Sequence, residues 1–540
     1  MLNLELPAID PAAPRPEFSN ATACKQWVKE LPLTNIQAVQ GELKQQLELL
    51  SHVPLSALER LKILELMRET AAFIAGELGK KYRSKSLPFS SLEQTAWNNV
   101  ASLWQTLAAN YRLCLQANID GNAEVAAFTS LITQRTMSCL VMQMLEYGHA
   151  YRSVPPVLWR ELHALYAFAE TRDVATKRIK DSLNREDGSD SCEAVYAKAL
   201  LLSLADPQQL SSRQLLQLDR WLDKWSARAP LSREQPPTPT LPLVAVDLAG
   251  ESGPATYTGQ MMKEKRFLDT ERTAVSLRKR IKFLRSGGNS AEIGLGDDCI
   301  QPGCEAFLSV LYRRWCEILP ARAHNRDNAE SDVQLCFAFP AIHFFLNDAT
   351  PFKQPGETLD LAPEIMEDMR MYGRVTKRTE KLLVARLGYT LENWRCLDQS
   401  AGGFRLSRSS EGERISQNLL LALRPEASEH FTLAVVRWLI MNEDGSVSVG
   451  TRALPGFPTP LAARQITLNP RDAGQFVPAF QLSAVPEKKE PASLVLPIGW
   501  FQPGKRIHIY GSQMEEAKLI ALLEKGANFE RVTFDSEAVY

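Results

Sequence analysis

The chain has 540 residues but only nine cysteines and seven histidines. No pair of cysteines forms a C-x-x-C. The closest are Cys299/Cys304 and Cys304/Cys316. That excludes a zinc framework and favours buried thiols in a reducing compartment. The histidines are scattered (52, 149, 163, 324, 343, 430, 508), with no H-E-x-x-H among them, so no metal site is expected. There is no G-x-S-x-G elbow and no local catalytic cysteine signature. No enzyme and no cofactor are therefore expected. Charge of one sign is also missing: Lys+Arg 62 face Asp+Glu 63, a net −1. A globally basic nucleic-acid binder is excluded. No run of about 18 apolar residues exists, so no membrane span is expected. The N-terminus lacks the basic and apolar regions of a secretory signal. The expectation is a cytoplasmic, soluble protein of roughly three to four domains at ~150 residues each.

Residues 1–20 carry Pro7, Pro11, Pro14 and Pro16 and read as a flexible leader. Residues 21–227 read as a helical domain. Ser56–Glu59 and Ser90–Glu93 have capping-box spacing ahead of apolar residues at helical period. Trp97, Trp104 and Tyr111 share one helix face, a stripe best suited to a core. Residues 228–242 hold five prolines and read as a linker. An α/β middle segment follows over 243–363. It has a short strand at Leu243–Leu248, a helix over about 269–285 (Asp269 as N-cap, Gly287 just past its end), and a helix over about 302–318. Val333–Leu346 reads as a strand interrupted by Pro340.

Two motifs of the middle segment have bland readings. Arg272, Arg278, Lys279, Arg280, Lys282 and Arg285 crowd one helix, whose basic face suits solvent. Without interleaved aromatics, nucleic acid is not an expected partner. Gly294-Leu295-Gly296-Asp297-Asp298 lacks the Lys-Ser/Thr of a phosphate loop and reads as an inter-helix loop.

From about residue 390 the hydrophobic period becomes 2. Short strands are expected at Asn393–Cys396, Phe404–Leu406, Leu419–Leu423, Thr432–Met441 and Ser446–Leu454. Asp444-Gly445 marks a hairpin. An Arg-rich segment and a small antiparallel barrel are placed at 364–483. A C-terminal α/β tail is placed at 484–540, with a helix capped by Ser512–Glu515 and stopped at Gly526.

The most informative stretch is Asn393–Leu406, NWRCLDQSAGGFRL. Asp398-x-Ser400-x-Gly402-Gly403 falls between two strands. Upstream stand Arg370, Arg374 and Arg378, each four apart. Read as one helix, they line one face. This region resembles the PilZ family, bacterial receptors of cyclic di-GMP. That family's signature is R-x-x-x-R before a six-stranded barrel and [DN]-x-S-x-x-G within it. Asp398, Ser400 and Gly403 match the second motif position by position. The strands LAVVRWLIM and SVSVGTRAL are also similar. The resemblance covers about 370–470.

The segments together predict an α+β multidomain protein with an N-terminal all-α domain, an α/β middle segment and a C-terminal antiparallel β-barrel, which the resemblance makes PilZ-like. The resemblance implies cyclic di-GMP as ligand, with no cofactor. Arg370, Arg374 and Arg378 would clamp phosphates and guanines, because a guanidinium forks onto phosphate oxygens or guanine O6/N7 and stacks on purines. Asp398 would accept from a guanine edge, and Ser400 would brace the loop. Gly402 and Gly403 would admit the base. The helical domain would pass ligand binding to a protein partner. The alternative is a non-catalytic adaptor whose degenerate barrel binds no nucleotide.

Overall fold

The computed structural model describes every residue except 1, 237–238, 319–326, 358–362, 374, 401, 467–473 and 539–540. The chain divides into two compact units. The first is residues 1–85 with 89–321, and the second is 86–88 with 322–540. The whole is α+β: a helical N-terminal region, a mixed middle, and closed six-stranded barrels.

In the first unit, helices α1 (Ala21–Glu30), α2 (Ile36–His52), α3 (Ala57–Gly79), α4 (Ser91–Ile119), α5 (Thr129–His149) and α6 (Pro156–Thr171) are followed by α7 (Cys192–Leu204) and α8 (Ser212–Ser226). Between α6 and α7, β1 (Ile179–Lys180) pairs with β2 (Ser189–Asp190). Helix α4 packs between α3 and α5. Its start is a full capping box, Ser90 with Glu93. At α3, Ser56 accepts from the Glu59 amide, but the Glu59 carboxylate turns to the Ala21 amide instead. Helix α8 carries a second full box, Ser211 with Gln214. Trp97, Trp104 and Tyr111 are buried, so their stripe is core.

The Pro-rich stretch is not simply a linker. Within it β3 (Leu231–Ser232) joins a four-stranded sheet with β4 (Val244–Asp247), β5 (Ala255–Thr256) and β6 (Lys265–Leu268), in the order β3-β6-β4-β5. Helices α9 (Glu271–Arg285) and α10 (Gly303–Cys316) complete the unit. Asp269 accepts from the Glu271 amide at 2.8 Å, and Gly287 takes φ +88° just past α9. The basic face of α9 is only partly solvated: Arg280 bonds Ser276 Oγ, Arg278 lies 5.8 Å over the Tyr312 ring, and Arg285 pairs with Glu305. Gly294–Asp298 is a loop, docked on α8 through Trp221, Lys224 and Arg220. Cys299 and Cys304 are joined in a disulfide, not kept as thiols. The two lie five positions apart across a turn that brings their Cα atoms to 5.0 Å. The other seven cysteines are buried thiols.

The second unit holds two closed antiparallel barrels. Strand β7 (Asp327–Cys336) opens the first. Helices α11 (Phe339–Leu346), α12 (Pro363–Tyr372) and α13 (Lys377–Leu387) intervene, and then come β8 (Glu392–Ser400), β9 (Gly403–Arg408), β10 (Leu420–Pro425), β11 (Thr432–Met441) and β12 (Val447–Ala453). The strand order is β10-β11-β12-β9-β8-β7. The expected strand Val333–Leu346 is thus two elements. The strand ends at Cys336, and Pro340 sits in the first turn of α11, where a missing amide proton costs nothing. The middle segment is split accordingly, with 243–316 in the first unit and β7 onward in the second.

The second barrel comprises β13 (Pro458–Gln465), β14 (Val477–Leu482), β15 (Ser493–Pro497), β16 (Arg506–Tyr510), β17 (Met514–Lys525) and β18 (Phe529–Ala538). The expected barrel limits, 364–483, therefore miss β7 and take in β13 and β14 of a different barrel. The expected α/β tail is the rest of that barrel. The helix expected after Ser512 is strand β17, paired with β16 on one side and β18 on the other. Its Ala, Leu, Glu and Lys favour helix in isolation, and pairing on both edges overrides that preference. An apolar cluster joins the barrels: Leu420, Ala422, Leu433 and Val435 of the first meet Phe480, Leu482, Val495 and Phe529 of the second.

Candidate functional site

The Asp398-x-Ser400-x-Gly402-Gly403 string forms the β8–β9 hairpin, with Ser400 opposite Gly403 across the turn. The Ser400 hydroxyl accepts from the Gly402 amide at 3.4 Å and reaches the Gly403 carbonyl at 3.4 Å, bracing the turn. Gly403 is pressed against β12. A Cβ there would overlap the Thr451 carbonyl and come within 3.1 Å of the Arg452 Cα. The Ala453 amide donates to the Gly402 carbonyl at 3.0 Å. The glycines thus serve a close backbone approach between hairpin and β12.

The register builds a row on this hairpin. Asp398 lies opposite Arg405, Arg405 opposite Gly450, and Gly450 opposite Trp438. Residues directly opposite share a face of the sheet. One row therefore crosses β8, β9, β12 and β11 on a single face. Asp398 and Arg405 approach to 3.8 Å, and Arg405 stays 46% exposed. The Trp438 indole lies across Gly450, where a Cβ would overlap it. An aromatic surface thus borders a carboxylate and a half-exposed guanidinium, a combination suited to a flat, polar-edged, anionic ligand. Sequence reasoning missed Arg405 and Trp438. Their signal is parity across paired strands, which needs the register.

The upstream arginines are arranged differently from the expectation. Gly373 (φ +68°) and the Thr376 N-cap break the segment into α12 and α13. Arg370 falls on α12 and Arg378 on α13, so no single helical stripe exists. Arg374 lies outside the described residues. Arg370 and Arg378 are exposed. The charge of Arg378 bears on Asp368 of α12 and helps hold that carboxyl below its usual range, after the amide hydrogen bond from Thr376. Among the described residues, neither arginine hydrogen-bonds or ion-pairs with the hairpin. Both helices lie between the first and second strands of the barrel, not before it. A second R-x-x-x-R, Arg322 and Arg326, ends directly before β7 begins at Asp327. Those two arginines lie outside the described residues, and their place in the chain is the observation. The sequence reading starts that strand at Val333, six residues after β7 begins.

Among the described residues, no group of three or more His, Cys, Asp or Glu is placed to hold a metal ion. Among the same residues, no helix is long and apolar enough to cross a membrane.

Residues 22–237 match the family model described as "Cyclic-di-GMP receptor FimW, N-terminal domain". Residues 461–536 match "FimW C-terminal beta-barrel domain". Both matches are to domain models of one family, and together they flank the middle of the chain. The first match spans α1–α8 and the start of the four-stranded sheet; the second falls on the second barrel. A relative named cyclic-di-GMP receptor FimW, from Pseudomonas aeruginosa, is 22% identical over 93% of this chain and 89% of its own length. The hairpin site lies in the first barrel, between the two FimW-type matches.

Proposed function

We propose that the protein is a cytoplasmic cyclic di-GMP receptor with a binding, non-catalytic role, and that its first barrel is PilZ-like. The observation that carries this reading is the Asp398–Ser400–Gly403 hairpin inside a closed six-stranded barrel, in a chain whose relative is named for that ligand. Asp398 accepts from a guanine edge, Ser400 holds the turn, and Gly402 and Gly403 keep the hairpin against β12. Trp438 stacks on a purine, and Arg405 lies beside it for a phosphate or a guanine edge. The arginine pair is Arg322 and Arg326, which stand where the resemblance requires them, directly before the first strand. Arg370, Arg374 and Arg378 lie between strands and are secondary candidates. The helical domain presents the output surface to a protein partner.

Calorimetric titration of the full chain with cyclic di-GMP, with GTP as control, tests this. Micromolar or tighter binding specific to the cyclic dinucleotide is expected. Alanine at both Arg322 and Arg326 is expected to weaken it about 100-fold or more, from two lost charge-assisted contacts. Alanine at both Arg370 and Arg378 is expected to leave it within about 2-fold, since exposed cations away from a site contribute little. No heat and no thermal shift at saturating ligand would overturn the receptor reading and leave the adaptor. The opposite ranking of the two arginine pairs would restore the upstream helices as the arm.

A further inference from the structure

Beside the hairpin, two arginines share one carboxylate. Arg452 on β12 has its Cα against Gly403, as described above. The register shift between Val436 and Trp438 leaves Arg437 at a bulge in β11, where an unpaired residue can be re-aimed. Both guanidinium groups turn to Glu524 of β17. Arg452 forms a close ion pair with it, and Arg437 lies at 3.6 Å. Glu524 belongs to the second barrel and is 18% exposed, while Arg452 and Arg437 remain 38% and 48% exposed. Two cations on one anion leave an unmatched positive charge. A guanidinium has five N–H donors, and one carboxylate cannot satisfy ten. Burial and the neighbouring Arg452 charge hold Arg437 below its usual range, with Glu524 opposing them. The pair is therefore held against mutual repulsion by a single carboxylate supplied from the other barrel.

That carboxylate is anchored. The β17–β18 turn is bonded to the start of the β10–β11 hairpin: the Ala527 amide donates to the Asn418 carbonyl at 2.8 Å, and the Leu420 amide donates to Asn528 Oδ1 at 3.0 Å. The Glu524 backbone is thereby fixed at the rim of the first barrel while its side chain stays partly open to water.

We propose that Arg437 and Arg452 are a second anion-binding point of the nucleotide site, and that Glu524 occupies it in place of a ligand phosphate. The phosphate of a cyclic dinucleotide on the hairpin competes with Glu524 for the two guanidinium groups. The second barrel thereby sets the affinity of the first. In exchange, ligand binding releases one of the ties between the barrels. By linkage, whatever holds Glu524 on the arginines weakens the ligand, and the ligand weakens that hold by the same factor.

This rests on the receptor reading above, and the test separates the two. Wild type, Glu524→Gln, Arg452→Ala and the double variant are titrated with cyclic di-GMP, with melting curves to show that each folds. Glu524→Gln keeps the shape of the side chain and removes its charge. It is expected to bind about 5-fold tighter or more, the low end of ordinary coupling between sites. Arg452→Ala is expected to bind about 10-fold weaker, for one lost charge-assisted contact to phosphate. In the double variant the gain from Glu524→Gln should shrink, because one of its two beneficiaries is gone. Wild-type binding with unchanged or weakened affinity in Glu524→Gln overturns the competition and leaves the receptor reading standing. Binding by Glu524→Gln alone supports the competition in its strongest form. Absence of binding in every folded variant overturns both. Should Arg452→Ala fail to fold, Arg437→Ala carries the same expectation.

Discussion

A buried charge network of the helical unit and the open face of the first barrel handle charge in opposite ways. Several ionised groups of the helical unit are buried and engaged. Asp181 is 3% exposed; it takes two hydrogen bonds from Arg68 at 2.7 and 3.0 Å, one from Gln134 at 2.8 Å, and lies 3.2 Å from Arg135. Arg135 in turn grips Glu65. Glu146 is held by Arg83 and the Tyr82 hydroxyl, and Lys198 pairs with Asp223 at 2.6 Å. On the first barrel, Arg405, Arg437 and Arg452 are half-open and sparsely paired, beside a glycine hairpin and an indole. Saturated buried charge fixes a fold, whereas cations left with capacity on a rigid surface can receive a ligand.

The sharpest break of that contrast is at Asp181. Asp181→Ala leaves Arg68 buried without its main partner and is expected to cost about 3–5 kcal/mol in denaturant unfolding, with nucleotide affinity unchanged. A large affinity change would dissolve the distinction. The next lies on the barrel. Trp438→Leu should cost about 1–3 kcal/mol in nucleotide binding, read by calorimetry, with little change in melting temperature. Equal affinity would make the indole mere packing over Gly450. A smaller effect is Ser90→Ala, about 1 kcal/mol of stability through loss of the α4 cap. A pH scan sharpens the first case. Its arginine partners and Gln134, working against burial, hold the Asp181 carboxyl at about 2, from an ordinary 3.8. A depressed carboxyl stabilises above its unfolded value, so the contribution is complete above pH 3.8 and is lost as pH falls from there toward 2. Melting temperatures should fall across that window in wild type and respond less in Asp181→Asn.

Local signals in the sequence were read well where local physics decides. The capping serine at 90, the buried stripe of Trp97, Trp104 and Tyr111, and the hairpin carrying Asp398 and Ser400 all follow from spacing within a few residues. Long-range pairing was not legible. Strand β17 has helix-forming residues, and only its neighbours β16 and β18 make it a strand. The Arg405–Trp438 row needs a register across four strands. The segment 364–386 is helical in character, but Gly373 divides it into α12 and α13. The second barrel went unseen because its first two strands continue the period of the first barrel without a break.

Strand β7 pairs with β8 only after the helical insertion, and its Cys336 meets Ala422, 86 residues further along the chain. Chain entropy opposes closing a loop of that length before any contact rewards it. Contacts so far apart in sequence slow folding. Closing the first barrel at β7 therefore carries a larger entropic cost than forming the β8–β9 and β11–β12 hairpins. Arg322 and Arg326 lead into that strand, so the nucleotide site proposed above depends on the longest-range pairing of the barrel.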